Sequence, residues 1–125
     1  MASRAIDDLT PEAAEKCRQF LARADKELAA KGLRVILTCT YRSQQEQNYL
    51  YSLGRTRPGK IVTWTKQSEH TRRRAWDVVF QETAKEAIRW DGPWTLLGKV
   101  AAGLGIEWGG GRKRFQDRPH FQVAD

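Results

Sequence analysis

At 125 residues the chain is long enough to bury a core of its own and fits a single domain, residues 1–125, with little room for a second module. Hydrophobic content of 40% with 30% charged residues excludes a disordered chain, and no apolar run approaches a bilayer span. A formal net charge of +7 calls for an anionic partner without saying which, and the opening residues Met1 to Asp8 lack the apolar core of a signal peptide. The expectation is a protein made and kept in the cytosol unless something else releases it.

Thr10 caps a first helix, Pro11 suits its first position, and Glu12 complements the positive end of its dipole. Ala14, Cys17, Leu21, Ala24 and Leu28 recur at spacings of three and four as one apolar stripe, and Gly32 ends the helix after Lys31. Leu33 to Thr40 reads as a strand with Val35, Leu37 and Cys39 on one face. Cys17 and Cys39 both read as reduced core cysteines, for which a disulfide is not needed. Ser43-Gln44-Gln45-Glu46 is a capping box, so a second helix starts at Gln44, turns Tyr49, Leu50 and Leu53 inward, and stops at Gly54.

Residues 54–60, rich in glycine and basic side chains, form a loop that suits one lip of a groove, and Ile61-Val62-Thr63-Trp64 is a short strand candidate. Ala75 to Phe80 is the best strand of the second half, with Ala75, Asp77 and Val79 on one face and Trp76, Val78 and Phe80 on the other. Residues 81–90 have mixed helical character. Pro93 opens a surer helix that turns Trp94, Leu97, Val100, Ala101 and Leu104 inward and closes at Gly103 and Gly105. Ile106-Glu107-Trp108 is a short strand and Gly109-Gly110-Gly111 a flexible turn. Pro119 to Val123 is a last strand, with His120 and Gln122 on one face and Phe121 and Val123 on the other. This order is no regular βαβ alternation, so the fold class is α+β, a small domain with an antiparallel sheet flanked by helices.

The chemistry gathers around the only two histidines, His70 and His120. With Asp77 they make two imidazoles and one carboxylate, a ligand set for a catalytic zinc, which takes three protein ligands and keeps its fourth position for water. Two histidines in a small protein are also commonly surface or core residues without a metal, and His-x6-Asp is not a helical ligand pair. Asp77 adds weight to the metal reading, because a carboxylate between Ala75 and Val79 is costly to bury unless paired or metal-bound. The alternative leaves that face in water. Asp117, three residues before His120, is a natural place for a base. An extended chain would set the two on opposite faces, so Asp117 reaches the site only if the chain turns there. Glu69 and Glu107 are the next candidates for that role. Arg42 falls at a strand-to-helix junction, facing a cleft or making a surface ion pair. Ser68 either orients His70 or caps a turn.

Ser68-x-His70-x6-Asp77 followed by Asp117-x-x-His120 resembles the zinc peptidases of the D-alanyl-D-alanine carboxypeptidase and L-alanyl-D-glutamate endopeptidase family, peptidase family M15, which cut the peptide stems of bacterial peptidoglycan. Tyr41-Arg42-Ser43 with Glu46-Gln47, Leu50 to Gly59, Ile61-Val62-Thr63, Trp108-Gly109-Gly110 before Phe115, and His120-Phe121 are similar to the endopeptidase branch, so the resemblance covers residues 33 to 123. It implies a hedgehog/D,D-peptidase-like fold and one Zn2+ per chain on His70, Asp77 and His120. It also implies Asp117 as the base, Arg42 on the substrate or the developing oxyanion, and Ser68 beside the substrate. The expected reaction is hydrolysis of the L-alanyl-D-glutamate bond, with D,D-carboxypeptidase activity as the alternative. Chain length, charge and the absent signal peptide look like a bacteriophage endolysin. Such a protein would be a monomer without a separate wall-binding domain, held in the host cytoplasm until the membrane is permeabilised. The sequence departs from the family at Arg73, where a glycine is common; a turn needing φ > 0 there would strain an arginine.

Arg72-Arg73-Arg74 and Arg112-Lys113-Arg114 flank these residues. They read as attraction to anionic cell-envelope polymers, as solvated loop charges, or, with five tryptophans in the chain, as a nucleic-acid surface. A metal nuclease would more often hold magnesium through carboxylates, whereas this site is richer in imidazole, and no stable nucleic-acid partner is expected.

Overall fold

The structure is a computed structural model that describes residues 2–124. In chain order it runs α1 (Pro11–Leu28), β1 (Leu33–Cys39), α2 (Gln44–Ser52), β2 (Ala75–Glu82), β3 (Ile88–Arg89), α3 (Trp94–Gly103), β4 (Glu107–Trp108) and β5 (His120–Gln122), with short 3-10 turns between. The strands form one antiparallel sheet in the order β1-β2-β5-β4, and β3 also pairs with β2. Strand β2 is central. One of its edges carries β1, and the other carries β5 near its start and β3 near its end.

One face of this sheet makes the core. Trp76, Val78 and Phe80 of β2 meet Leu33 and Val35 of β1, Phe121 of β5, and the buried sides of α1 and α3. Phe20 of α1 packs on Phe121 at a ring-centroid distance of 4.5 Å and on Trp76 at 6.0 Å. The starts of α1 and α2 are capped as the sequence demands: Ala13 N–H donates to Thr10 Oγ1 (3.2 Å) and Glu46 N–H to Ser43 Oγ (3.1 Å). Each such cap is worth about 1 kcal/mol.

The segment before α1 is laced to the sheet. Ser3 N–H donates to the Tyr41 carbonyl (2.8 Å), Thr40 N–H to the Ser3 carbonyl (2.7 Å) and Thr40 Oγ1 to the Ala5 carbonyl (2.8 Å). Thr10 N–H reaches the Arg73 carbonyl (2.9 Å), so both ends of the stretch are tied to the chain around His70.

Several local expectations give way to tertiary structure. Residues 81–90 are not helical. β2 runs on to Glu82, the chain reverses with Glu86 at φ 58°, and β3 returns along β2. Pairing with an existing strand outweighs a weak local preference there. Residues 61–64 form no strand, because side chains from the α2 region take the nearby carbonyls: Arg55 donates to Thr63 O (3.1 Å) and Gln47 to Thr65 O (2.7 Å). Tyr49 faces solvent, and the fully buried residue of α2 is Gln47. Phe20 belongs to the buried side of α1, while Leu21 is only partly covered.

Cys39 is the most consequential difference. A register shift between Leu37, paired with Val78, and Cys39, paired with Asp77, interrupts the alternation of β1. The extra residue of such a bulge moves the following side chain to the other face. Cys39 therefore leaves the face of Val35 and joins that of Asp77. It is buried and free, as is Cys17, but it stands outside the apolar core.

Candidate metal centre

The sheet face opposite the core holds the chemistry. Asp77 and His120 are a direct cross-strand pair of β2 and β5, so their side chains rise side by side. His70 enters from a tight turn over residues 68–74. Ser68 Oγ accepts the His70 N–H (3.2 Å), the Ser68 carbonyl accepts Thr71 N–H (3.0 Å) and Thr71 Oγ1–H (2.6 Å), and Arg42 N–H donates to the His70 carbonyl (3.3 Å). The turn passes through Arg73 at φ 61°, the left-handed conformation that favours glycine. For arginine this costs on the order of 1 kcal/mol. Two contacts hold it: the guanidinium lies 3.8 Å from the Tyr41 ring centroid and donates to the Asp8 carbonyl (3.0 Å).

Asp77 Oδ1 sits between the imidazoles, 3.2 Å from His70 Nε2 and 3.2 Å from His120 Nδ1, with the ring centroids 5.1 Å apart. The outer nitrogens fix the tautomers. His70 Nδ1 lies 3.0 Å from the Thr40 carbonyl, which can only accept, so Nδ1 carries a proton. His120 Nε2 lies 2.7 Å from Gln122 Oε1, and the Gln122 amide is oriented because its Nε2–H donates to Glu107 Oε2 (3.1 Å). His120 Nε2 is thus the donor as well. In their neutral forms both imidazoles then aim lone pairs at an anionic carboxylate oxygen, an arrangement that calls for a cation between them. Outer hydrogen bonds of this kind are what orient histidines for a metal.

Protons answer that demand in the metal-free protein. Burial would lower the His70 pKa, but hydrogen bonds to Asp77 and Cys39 and the Asp77 charge outweigh it and push it up to about 10. Burial would raise the Asp77 pKa, but hydrogen bonds to His120 and His70 and their charges hold it well below the usual carboxylate range. Two groups of donor atoms each lie within 4.8 Å of one another, Cys39 with His70 and Asp77, and Asp77 with Asp117 and His120; Asp77 joins the two, and the imidazole, carboxylate and thiol donors are of the kind a zinc-type ion takes.

Asp117 reaches this centre. The chain turns between them, with His120 N–H donating to the Asp117 carbonyl (3.2 Å), and the Asp117 carboxylate comes within 4.8 Å of the ligand atoms of Asp77 and His120. Burial and the Asp77 charge push its pKa up, against the pull of His120, Arg112 and His70. Glycine is needed beside this turn. A Cβ on Gly109 would stand 2.3 Å from the Asp117 carbonyl oxygen, and Asp117 N–H donates to the Gly109 carbonyl (3.1 Å). Trp108 braces the far side: its indole N–H donates to the Arg118 carbonyl (2.8 Å), and its ring lies so close to Gly98 that a Cβ there would be 2.3 Å away.

Arg42 lines the same cleft, of about 750 Å³, in which His70, Asp77, His120, Ser68 and Asp117 also lie. Its guanidinium donates to Gln47 Oε1 (2.9 Å) and to Cys39 Sγ (3.7 Å), and Cys39 Sγ lies 3.5 Å from His70 Nδ1. Glu69 lines the cleft and pairs with Arg72 (3.2 Å), while Glu107 stands behind Gln122 rather than at the metal side. The basic runs divide. Arg72, Arg73 and Arg74 are engaged locally, with Glu69, with Tyr41 and Asp8, and with the Val123 carbonyl. Arg112 lines the cleft and donates to Gln122 (3.3 Å), which leaves Lys113 and Arg114 as the outward-facing pair of their run. Gln47, Gln122, Trp108 and Cys39 act at this site through contacts that no spacing rule announces.

Two imidazoles and a carboxylate that converge in one cleft, with Asp117 and the Arg42 guanidinium in the same lining, make a donor-rich site on an α+β scaffold, as in a metallopeptidase. Residues 62–123 match the family described as D-alanyl-D-alanine carboxypeptidase, peptidase family M15. It is similar to the peptidoglycan L-alanyl-D-glutamate endopeptidase CwlK of Bacillus subtilis (strain 168), with 37% identity over 107 residues that cover 76% of this chain and 64% of that protein. The chain thus spans just under two thirds of the length of that relative. Its fold matches the crystal structure of the Serratia marcescens L-Ala D-Glu endopeptidase ChiX with a TM-score of 0.74 at 19% identity, over 99% of this chain and 89% of that one. It also matches the LdcB LD-carboxypeptidase with a TM-score of 0.63 at 18% identity, over 92% of this chain and 58% of that one. At these identities the two structural matches speak for the fold, which is the expected small α+β domain.

Proposed function

We propose that this protein is a zinc-dependent peptidoglycan hydrolase that cuts the L-alanyl-D-glutamate bond of the peptide stem. The observation that carries the reading is the pair of imidazole lone pairs converging on one Asp77 oxygen, with Asp117 beside them. The similarity to CwlK supports the choice of bond. His70, Asp77 and His120 would hold one zinc, which when bound supplies Lewis acidity to the scissile carbonyl and to the attacking water. Asp117 takes a proton from that water and returns it to the leaving amine, a role its raised pKa favours. Arg42, permanently charged and fixed by Gln47, meets the oxyanion or a substrate carboxylate. Ser68 acts chiefly by holding the His70 backbone at the edge of the cleft.

The same proposal includes a bacteriophage endolysin role, in which the chain waits in the host cytoplasm and reaches the wall once the membrane is permeabilised. The net charge of +7 supports attraction to anionic envelope polymers. Mass spectrometry of digested peptidoglycan, with and without a chelator, tests the reaction. New amino groups on glutamate that vanish on chelation are expected. Released D-alanine as the main product would move the assignment to a D,D-carboxypeptidase, and new reducing sugar ends would remove the peptidase reading. Lysis of cells expressing the chain only after a membrane-permeabilising agent is added tests the route.

A further inference from the structure

The two lips of the cleft each present an aromatic ring that neither the core nor the metal centre uses. Trp64 stands on one lip and Phe115 on the other, 61% and 57% exposed, and both line the cleft. Their rings meet across it with centroids 5.3 Å apart and planes inclined by 35°. Such exposure of large apolar rings at a cleft marks a binding surface.

Both rings are held there by the chain around them. The carbonyls of Thr63, Thr65 and Lys66, on either side of Trp64, accept from Arg55 (3.1 Å), Gln47 (2.7 Å) and Gln44 (2.7 Å) respectively. Phe115 has φ 54°, a left-handed conformation that bulky residues rarely adopt. Strain of this kind concentrates at functional positions. An exposed indole on a pinned backbone, facing a strained phenylalanine, is a preorganised platform.

We propose that Trp64 and Phe115 form a subsite for a pyranose ring of the glycan strand, adjoining the scissile bond. This rests on the peptidase reading above and names a second part of its substrate. L-Alanine is the residue that joins the stem to the glycan, and one residue spans only about 3.5 Å. A bond cut on the far side of that alanine therefore carries an amino sugar into the same cleft. Alanine and glutamate side chains have no use for two aromatic faces. The axial C–H bonds of a pyranose do, because they present a flat, weakly positive face to the negative face of an aromatic ring.

The test compares a disaccharide-bearing stem peptide with the same peptide lacking sugar. The parent protein should have the higher kcat/KM on the sugar-bearing substrate. In Trp64→Ala and Phe115→Ala the ratio of the two kcat/KM values should fall, on the order of tenfold for a lost stacking partner. Trp64→Phe should retain most of the ratio. An unchanged ratio in both alanine variants, or equal preference in the parent, overturns the subsite. A parent that cuts neither substrate would defeat the peptidase reading instead. A binding measurement then decides the subsite separately: the free disaccharide should quench tryptophan fluorescence saturably in the parent and not in Trp64→Ala. Absence of quenching in the parent overturns it.

Discussion

Asp77 meets two imidazoles on one oxygen, and in the proposed function that sharing separates ligand from base. Asp117 touches neither outer hydrogen bond and lies on the turn before His120, and the proposed function gives it the moving of a proton. Asp117→Asn should keep zinc at normal stoichiometry while kcat falls by about 10² to 10⁴, the usual worth of a positioned base. Loss of zinc from that variant would make Asp117 a ligand. Gln122 belongs to the opposite case, because it fixes which His120 nitrogen faces Asp77 with a lone pair. Gln122→Ala should weaken zinc binding by about 10- to 100-fold, read by chelator competition, while the apo-protein keeps its fold. Unchanged affinity would show that the His120 tautomer needs no such support. The meeting of His70, Asp77 and His120 was legible in the sequence, because two histidines and a strand aspartate leave few combinations. The contacts of Gln122 and Gln47 were not, although Gln47 falls in a stretch that carries the resemblance, since nothing in a glutamine's spacing distinguishes a buried acceptor from a surface amide. Cys39 was misplaced because parity counting has no means of seeing a bulge.

At the scale of elements, the site depends on two backbones lying closer than any side chain allows. Gly109→Ala would set a Cβ 2.3 Å from the Asp117 carbonyl, so either the 3-10 turn or the Asp117 turn must move. Overpacking of this kind costs about 1–3 kcal/mol, and here the movement falls on the segment carrying Asp117 and His120. Gly109→Ala should therefore lower the denaturation midpoint and the catalytic rate together. Full activity in a stable variant would mean the turn is slack. The helices and β2 were readable from caps and alternation, both local signals. The β2–β3 hairpin and the loop over residues 61–67 were not, because each is decided by partners far along the chain: an open strand edge in one, side chains of the α2 region in the other.

For the whole molecule, the cluster of His70, Asp77 and His120 couples stability to pH. The folded His70 pKa, about 10, lies above its ordinary 6.5. Its contribution is thus complete below 6.5 and is lost as pH rises through about 10. Asp77 is depressed below its ordinary 3.8, so its contribution is present above that value and lost as pH falls. Metal-free protein should be most stable between these limits, and its urea midpoint should drop between pH 6.5 and 10 by more than that of His70→Ala. Equal drops would acquit His70. The lacing of the segment before α1 has a further consequence for how the protein opens. Thr40 and Thr10 donate their amides to Ser3 and to Arg73, the first joined to the strand behind His70 and the second to the turn that carries it. In native-state hydrogen exchange these amides should share one opening free energy with that of His70, as a single cooperative unit. Zinc should then slow exchange at Thr10 as much as at His70, although Thr10 belongs to the start of a helix and has no contact with the metal ligands.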